Sequence, residues 1–182
     1  MKKRILPLLL SLVMLISLFP VEVMAAEPEM TITAGTVEVT AGDTDVEIPI
    51  SVVNAVPVMM MGLEFILPEG VTLKKMTAGE AATTAGASVK TYVKAGTVNF
   101  EADNNITFQD GTILTLIVDV SSAASGSLTI QARPIDNNAG MIANEEEEIV
   151  PVAFVPGTIM VKANTTDRTV TFMNGTVAAA TK

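Results

Sequence analysis

The stretch Asp45–Val53, DVEIPISVV, alternates apolar and polar residues with a period of two. This alternation predicts a β-strand with one buried and one exposed face. The inward residues are expected to be Val46, Ile48, Ile50 and Val52. Pro49 lies among the outward residues and has no N–H to donate, so the strand is predicted to lie at a sheet edge or to carry a bulge there.

The same pattern returns at Thr112–Val120, TILTLIVDV, and predicts a second strand whose core residues are Leu114, Leu116, Val118 and Val120. Shorter runs of this kind begin at Thr36, Val89, Thr97, Ser127 and Gly157. Turn sequences such as AGD, PEG, QDG and PIDNNAG separate the runs, and no convincing helical stripe follows the N-terminal segment. About eight or nine short strands at this spacing predict an all-β protein, an antiparallel sandwich or jelly roll.

Residues 1–25 have the composition of a secretory signal peptide. A basic start, MKKR, is followed by the apolar stretch Ile5–Phe19, and VEVMAA offers small residues for cleavage after Ala25 or Ala26. An apolar stretch of about 15 residues is short for a membrane anchor, which needs roughly 20. We therefore predict a cleaved signal and a secreted or cell-surface protein without a membrane span; an uncleaved anchor is the alternative.

The chain that remains after cleavage is acidic. Of 11 basic and 20 acidic side chains, the loss of residues 1–25 leaves 8 and 19, a net charge near −11. This charge disfavours nucleic acid and anionic lipid as partners, because both would be repelled. The absence of Cys means that an exported domain must rely on its core instead of disulfides.

The composition also argues against catalysis. The chain has no His and no Cys, so the commonest bases, nucleophiles and transition-metal ligands are missing. A carboxylate pair could hydrolyse glycosides, but sugar sites also need aromatic platforms, and the mature chain offers only Tyr92 and five Phe. We predict a non-enzymatic protein with no cofactor and no metal. The acidic run Asn144–Glu148 is interpreted as a solvated loop, with a calcium site as the alternative.

Three stretches, in their order and spacing, carry a resemblance to a known family. They are Thr33–Met76, Thr97–Ile130 and Val150–Val161, and their most specific pieces are AGDTDVEIPI, GLEF, DGTILTLIVDV and GTIMV. Together they resemble the cohesin domain of bacterial cellulosome scaffoldins. The resemblance implies a domain at residues 26–163, followed at 164–182 by a linker and the start of a possible further repeat.

The resemblance also implies a function. Cohesins are nine-stranded antiparallel jelly rolls without a catalytic role, and one sheet face binds a calcium-loaded dockerin, whose bearer is thereby attached to a scaffold or cell surface. The expected partner is therefore a dockerin-bearing protein that carries the calcium itself, in the setting of polysaccharide breakdown. Two alternatives are a module that binds polysaccharide directly and a structural spacer of a surface adhesin.

Within the stretch Met59–Leu67, MMMGLEFIL, the resemblance places an acidic binding residue at Glu64, just before the core residue Phe65. The alternation predicts that Met59, Met61, Leu63, Phe65 and Leu67 enter the core and that Met60, Gly62, Glu64 and Ile66 share the outer face. In the alternative interpretation, Glu64 merely faces solvent or pairs with Lys74, Lys75 or Lys90.

Two further segments complete the predicted partner-binding face. In VKTYVK, burial of Val89, Thr91 and Val93 turns Lys90 and Tyr92 outward, and the family's aromatic residue corresponds to Tyr92. In TVNFEAD, burial of Val98, Phe100 and Ala102 leaves Asn99, Glu101 and Asp103 outward. A slip of one residue would exchange these two sets.

Overall fold

The protein is a two-sheet β-sandwich. The structure, a computed structural model, describes residues 30–163 and, for the backbone only, residues 171–174 and 177–180. The predicted signal peptide lies outside the described residues, as does most of the predicted linker. The strands are β1 Met30–Ala34, β2 Thr36–Thr40, β3 Val46–Val53, β4 Val58–Ile66, β5 Val71–Ala78, β6 Ser88–Tyr92, β7 Thr97–Ile106, β8 Gly111–Val120, β9 Gly126–Pro134, β10 Ile142–Ala143, β11 Val152–Val155, β12 Gly157–Lys162, β13 Thr171–Asn174 and β14 Val177–Ala180.

The first sheet has the strand order β11-β1-β3-β8-β5, and the second has the order β2-β12-β9-β4-β7-β6 with β10 paired to β4. All pairs are antiparallel except β1 with β11 and β2 with β12, which are parallel. The predicted all-β sandwich is confirmed. β1 and β2 together form one chain segment that crosses from one sheet to the other, and so do β11 and β12. If each segment is counted as one strand, the sandwich has nine long strands. The parallel pairing of these terminal strands was not predicted.

The crossing from one sheet to the other takes place at a close backbone contact. Gly35 separates β1 from β2, and Gly157 opens β12. A Cβ atom on Gly157 would lie 2.4 Å from the carbonyl oxygen of Gly35. The glycine is therefore required by the close approach of two chain segments.

Pro49 lies in an interior strand, because β3 pairs with β1 and β8. Its carbonyl accepts a hydrogen bond of 2.8 Å from Gly35 N–H, at the point where the first strand leaves the sheet. The missing N–H of Pro49 thus falls where the ladder ends, and a bulge follows between Ile50 and Ser51. Of the two predicted positions for this proline, a sheet edge is wrong and a neighbouring bulge is observed.

The core lies between the two sheets. The predicted inward residues Ile48, Ile50 and Val52 are fully buried, and so are Leu114, Leu116 and Val118. Phe100 and Phe108 make an edge-to-face contact with ring centroids 5.8 Å apart. A sandwich with few aromatic residues is therefore held mainly by β-branched and leucine side chains, each of which contributes about 1.5–3 kcal/mol on full burial.

In the described part of the chain, one short α-helix, α1, spans Glu80–Thr84 and buries Ala81 and Ala82. Five residues are too few to show a helical stripe, which is why the sequence pattern did not predict it. Among the described residues, no helix is long and apolar enough to cross a membrane. Near the C-terminus, β13 and β14 pair with each other as an antiparallel two-stranded sheet.

Candidate functional site

The candidate site is the solvent side of β9, β4, β7 and β6, which we name the β4 face. Residues directly opposite on antiparallel strands point to the same side of a sheet. Glu64 lies opposite Thr97 on β7 and Arg133 on β9, and Gly62 lies opposite Asn99. The predicted site residues on β4 and β7 are therefore brought together on one face, apart from Asp103.

The strand register of β7 is the one predicted. Val98 and Phe100 are buried, whereas Asn99 and Glu101 point away from the core. Glu101 lies opposite Met60. Asp103 is exposed and lies in the irregular part of the pairing, between Glu101, which is opposite Met60, and Ile106, which is opposite Val58.

Glu64 forms an ion pair that the sequence analysis did not predict. Arg133 Nε donates to Glu64 Oε2 over 2.9 Å, and the Glu64 side chain is 23% exposed. This hydrogen bond lowers the pKa of Glu64 below its ordinary value of 4.5, against the opposing effect of burial. The alternatives Lys74, Lys75 and Lys90 are wrong as partners. Lys74 pairs with Asp45 and Asp119, and Lys90 pairs with Glu101. Lys75 lies on β5 in the first sheet, and no ion pair joins it to Glu64.

Gly62 is buried, although the alternation placed it on an open outer face. The segment Ile135–Met141, which we name the strap, crosses over it as two short 3₁₀ turns between β9 and β10. A Cβ atom on Gly62 would lie 2.8 Å from Met141 Cε and 3.0 Å from Ile135 Cδ1. The expectation of an exposed Gly62 is therefore wrong, since a loop distant in sequence covers it.

Asn99 lies beside Gly62 at the edge of the strap. Its Oδ1 atom is buried and has no hydrogen-bond partner among the described residues. A buried acceptor without a partner costs about 1–3 kcal/mol. This unpaired oxygen lies 3.1 Å from the position that a Cβ atom on Gly62 would take.

The open part of the β4 face lies at the edge strand β6. Tyr92 is 51% exposed and sits opposite Thr97, in the same row as Glu64. Lys90 forms an ion pair with Glu101, which raises the pKa of Lys90. Thr91 is exposed instead of buried, because β6 has a neighbour on one side only and its inner face is incompletely covered.

Apolar side chains on this face belong to Ile66, which is next to the Glu64–Arg133 pair, and to Met60, which is opposite Glu101. Ile66 is 38% exposed and lies opposite Gln131. Met60 is half-buried on the outer side, and Met59, expected in the core, is also only half-buried. An irregularity between Val58 and Met60 explains this, since it gives Val58 the buried position.

Among the described residues, no group of acidic side chains is arranged to hold a metal ion. The run Glu145–Glu148 forms an exposed turn at the end of β10. The side chain of Asn144 holds this turn by accepting hydrogen bonds from the backbone N–H groups of Glu146 and Glu148.

Sequence reasoning missed Arg133 and the strap. Arg133 belongs to β9, which the sequence marked only by the short run SLTI and which continues to Pro134. Extending that alternation would have turned Thr129, Gln131 and Arg133 outward together. No sequence pattern predicts that the strap covers β4, because these contacts join segments more than 70 residues apart.

Several solved structures share this fold. The third ScaB cohesin of Ruminococcus flavefaciens, in complex with a group 1 dockerin, has a TM-score of 0.62 and 15% identity, and the match covers 76% of this chain and 98% of that chain. The third ScaC cohesin of Acetivibrio cellulolyticus, in complex with the ScaB dockerin, has a TM-score of 0.58 and 23% identity, with 72% and 98% covered. A non-cellulosomal cohesin of the archaeon Archaeoglobus fulgidus has a TM-score of 0.53 and 21% identity, with 75% and 94% covered.

No family model matches the sequence, and a search of curated proteins finds no match. The similarity is thus one of structure at low identity. The chain has the cohesin fold, as its sequence resemblance indicated.

Proposed function

We propose that this protein is an exported, non-catalytic cohesin-like module that binds a calcium-loaded dockerin. The observation that carries the proposal is the β4 face of a cohesin fold, where exposed Tyr92 and Ile66 flank the Glu64–Arg133 ion pair. Apolar anchors surrounded by polar groups suit a protein partner, because the anchors contribute most of the binding free energy and the polar groups fix the orientation. The structures of two similar cohesins contain a dockerin.

In this proposal the dockerin packs against Tyr92 and Ile66. Arg133 is 41% exposed and its guanidinium keeps N–H groups beyond the one that binds Glu64, so it can donate to an acceptor of the partner. The calcium belongs to the dockerin. The module would thereby attach a dockerin-bearing enzyme to a scaffold or cell surface, as in polysaccharide breakdown.

Isothermal titration calorimetry against a panel of dockerins, with Ca²⁺ and with EDTA, tests the proposal. We expect at least one dockerin to bind with Ca²⁺ and to lose binding in EDTA. Tyr92→Ala and Ile66→Ala should each weaken it by roughly ten-fold or more, since central anchors contribute about 2 kcal/mol. Glu64→Ala should leave the fold intact and also weaken binding.

Val53→Ala is the matched control. Val53 is exposed to a similar degree as Ile66 but lies at the end of β3 in the first sheet. Its substitution should leave dockerin affinity unchanged. Binding to no dockerin of the panel, or equal losses in the control and the Ile66 variant, would refute the proposal. Direct binding to soluble glycans in gel retardation would favour the polysaccharide alternative.

A further inference from the structure

A second surface of the molecule lies at the opposite sheet, along the edge strand β11. An apolar groove of about 490 Å³ runs between this strand and the segment that follows β9. Its lining consists only of Pro, Ala, Ile, Val and Phe residues, among them Pro134, Ile142, Val152 and Phe154. A further hollow of about 260 Å³, also lined by Phe154, continues toward Gln131 and Pro156.

The backbone of β11 has one unpaired edge in this groove. The strand pairs with β1 on one side, and Pro151 C=O accepts a hydrogen bond from Met30 N–H. Successive residues of a strand direct their backbone groups to alternate sides, so Val152 and Phe154 direct theirs away from β1. No described residue forms a backbone hydrogen bond with these two on that side. An extended segment could therefore add here as a strand.

The charge at one end of the groove favours a basic occupant. The exposed turn Glu145–Glu148 leads directly into Ile149, which lines the groove and is 57% exposed. None of these four carboxylates forms an ion pair with a Lys or Arg of the described part of the chain. The turn is held in place by Asn144 and by Asn105, whose Oδ1 accepts a hydrogen bond from Glu145 N–H.

We propose that β11 accepts an extended segment of another protein as an added strand. Alternate apolar side chains of that segment fill the groove, and a Lys or Arg at its end meets the Glu145–Glu148 turn. A second copy of this chain is disfavoured as the occupant, because the chain carries a net charge of −9 and two copies repel each other. This surface is separate from the β4 face, so its test is independent of dockerin binding.

The test uses two synthetic peptides and the chain without residues 1–25. The basic peptide is Lys-Lys-Val-Thr-Val-Thr-Val, and its charge-reversed counterpart begins with Glu-Glu. Titration is followed by ¹H–¹⁵N NMR spectra at neutral pH. We expect the basic peptide to shift the amide signals of Val152 and Phe154, to slow their hydrogen exchange, and to bind roughly ten-fold tighter than the acidic peptide.

Two variants assign the effect. Val152→Pro removes an N–H on the free edge and should abolish binding of the basic peptide. The triple variant Glu145→Gln, Glu146→Gln and Glu147→Gln keeps the carboxylate that Asn144 contacts, and should make the two peptides bind equally. The matched control neutralises three exposed glutamates that do not line the groove, Glu47, Glu69 and Glu80, and should preserve the preference.

Four results would overturn the proposal. They are the absence of binding by the basic peptide, equal affinity for both peptides in the unaltered chain, signal changes confined to the β4 face, and slow exchange of the Val152 and Phe154 amides before any peptide is added. In the last case, dependence of the exchange on protein concentration would identify a second copy as the occupant, and independence would identify another segment of this chain.

Discussion

The ion pair between Glu64 and Arg133 links the stability of the β4 face to pH. The pKa of Glu64 is lowered in the folded state, so the ion pair stabilises the fold above the ordinary pKa of 4.5 and is lost as the pH falls through the folded pKa. Glu64→Gln should reduce the free energy of unfolding by only about 0–1 kcal/mol at neutral pH, because the pair is partly exposed. The difference from the unaltered chain should vanish in acid. Urea unfolding of the variant and of the unaltered chain, at neutral pH and in acid, measures this difference in the free energy of unfolding.

Glu47→Gln is the control for this prediction. Glu47 is exposed on β3 and forms no ion pair within the described residues, so its neutralisation should have no comparable effect at either pH. A loss for Glu64→Gln that persists in acid would mean that the substitution disturbs packing and not the charge pair.

Gly62 makes room for the strap, whereas the alternation of β4 predicted that it lies on an open outer face. A Val at this position would bring its branched side chain against Met141 and Ile135, whose ends lie within 3.0 Å of the added Cβ. Gly62→Val should therefore displace the strap and destabilise the fold by about 1–3 kcal/mol. Hydrogen exchange should become faster in the strap, and thermal unfolding gives the loss of stability.

Met141→Ala combined with Gly62→Val is the matching test. Removal of the Met141 side chain makes room for the valine, so the loss in the double variant should be smaller than the sum of the two single losses. Strict additivity would show that the strap does not restrict this position.

At the scale of the elements, strands with one fully buried face could be predicted from the sequence. Ile48, Ile50 and Val52 in β3, and Val98 and Phe100 in β7, follow the period of two because their strands pack on the opposite sheet. An edge strand such as β6, and a loop such as the strap that crosses a sheet face, do not follow the period of two. Thr91 lies on an edge strand, and the strap is held by contacts that have no periodicity in sequence.

The same limit applies to the candidate site. The outward position of Glu64 was predictable from its own strand, but its pairing with Arg133 depends on the register in which β9 lies beside β4. A site on a sheet face is made by several strands side by side, and sequence order alone does not give their register.

The need for a glycine at the crossing between the two sheets can be tested by substitution. A Cβ on Gly157 would lie 2.4 Å from Gly35 O and 2.8 Å from Ala34 Cβ. The Gly35 oxygen is a backbone atom between β1 and β2, so it cannot move aside as the end of a flexible side chain could. Gly157→Ala should therefore cost about 2 kcal/mol or more in the free energy of unfolding, as measured with urea. Gly140→Ala, whose nearest contact is an Asn138 side-chain oxygen at 3.3 Å, should cost much less. Equal losses would contradict a special role of the crossing.

At the scale of the whole molecule, we expect the net negative charge to keep the exposed sheet edges of separate copies apart at neutral pH. The chain has an isoelectric point near 4.4 and a net charge of −9 at pH 7, so repulsion is strong at neutral pH and fades in mild acid. In the described part of the chain the first sheet ends at β5 and β11, and β11 borders an apolar groove. We expect a monomer at neutral pH and self-association as the pH approaches the isoelectric point, measured by light scattering.

Val152→Pro should weaken this association, because it removes a donor from the free edge of β11. Association that is already complete at neutral pH and low salt would contradict charge repulsion as its cause.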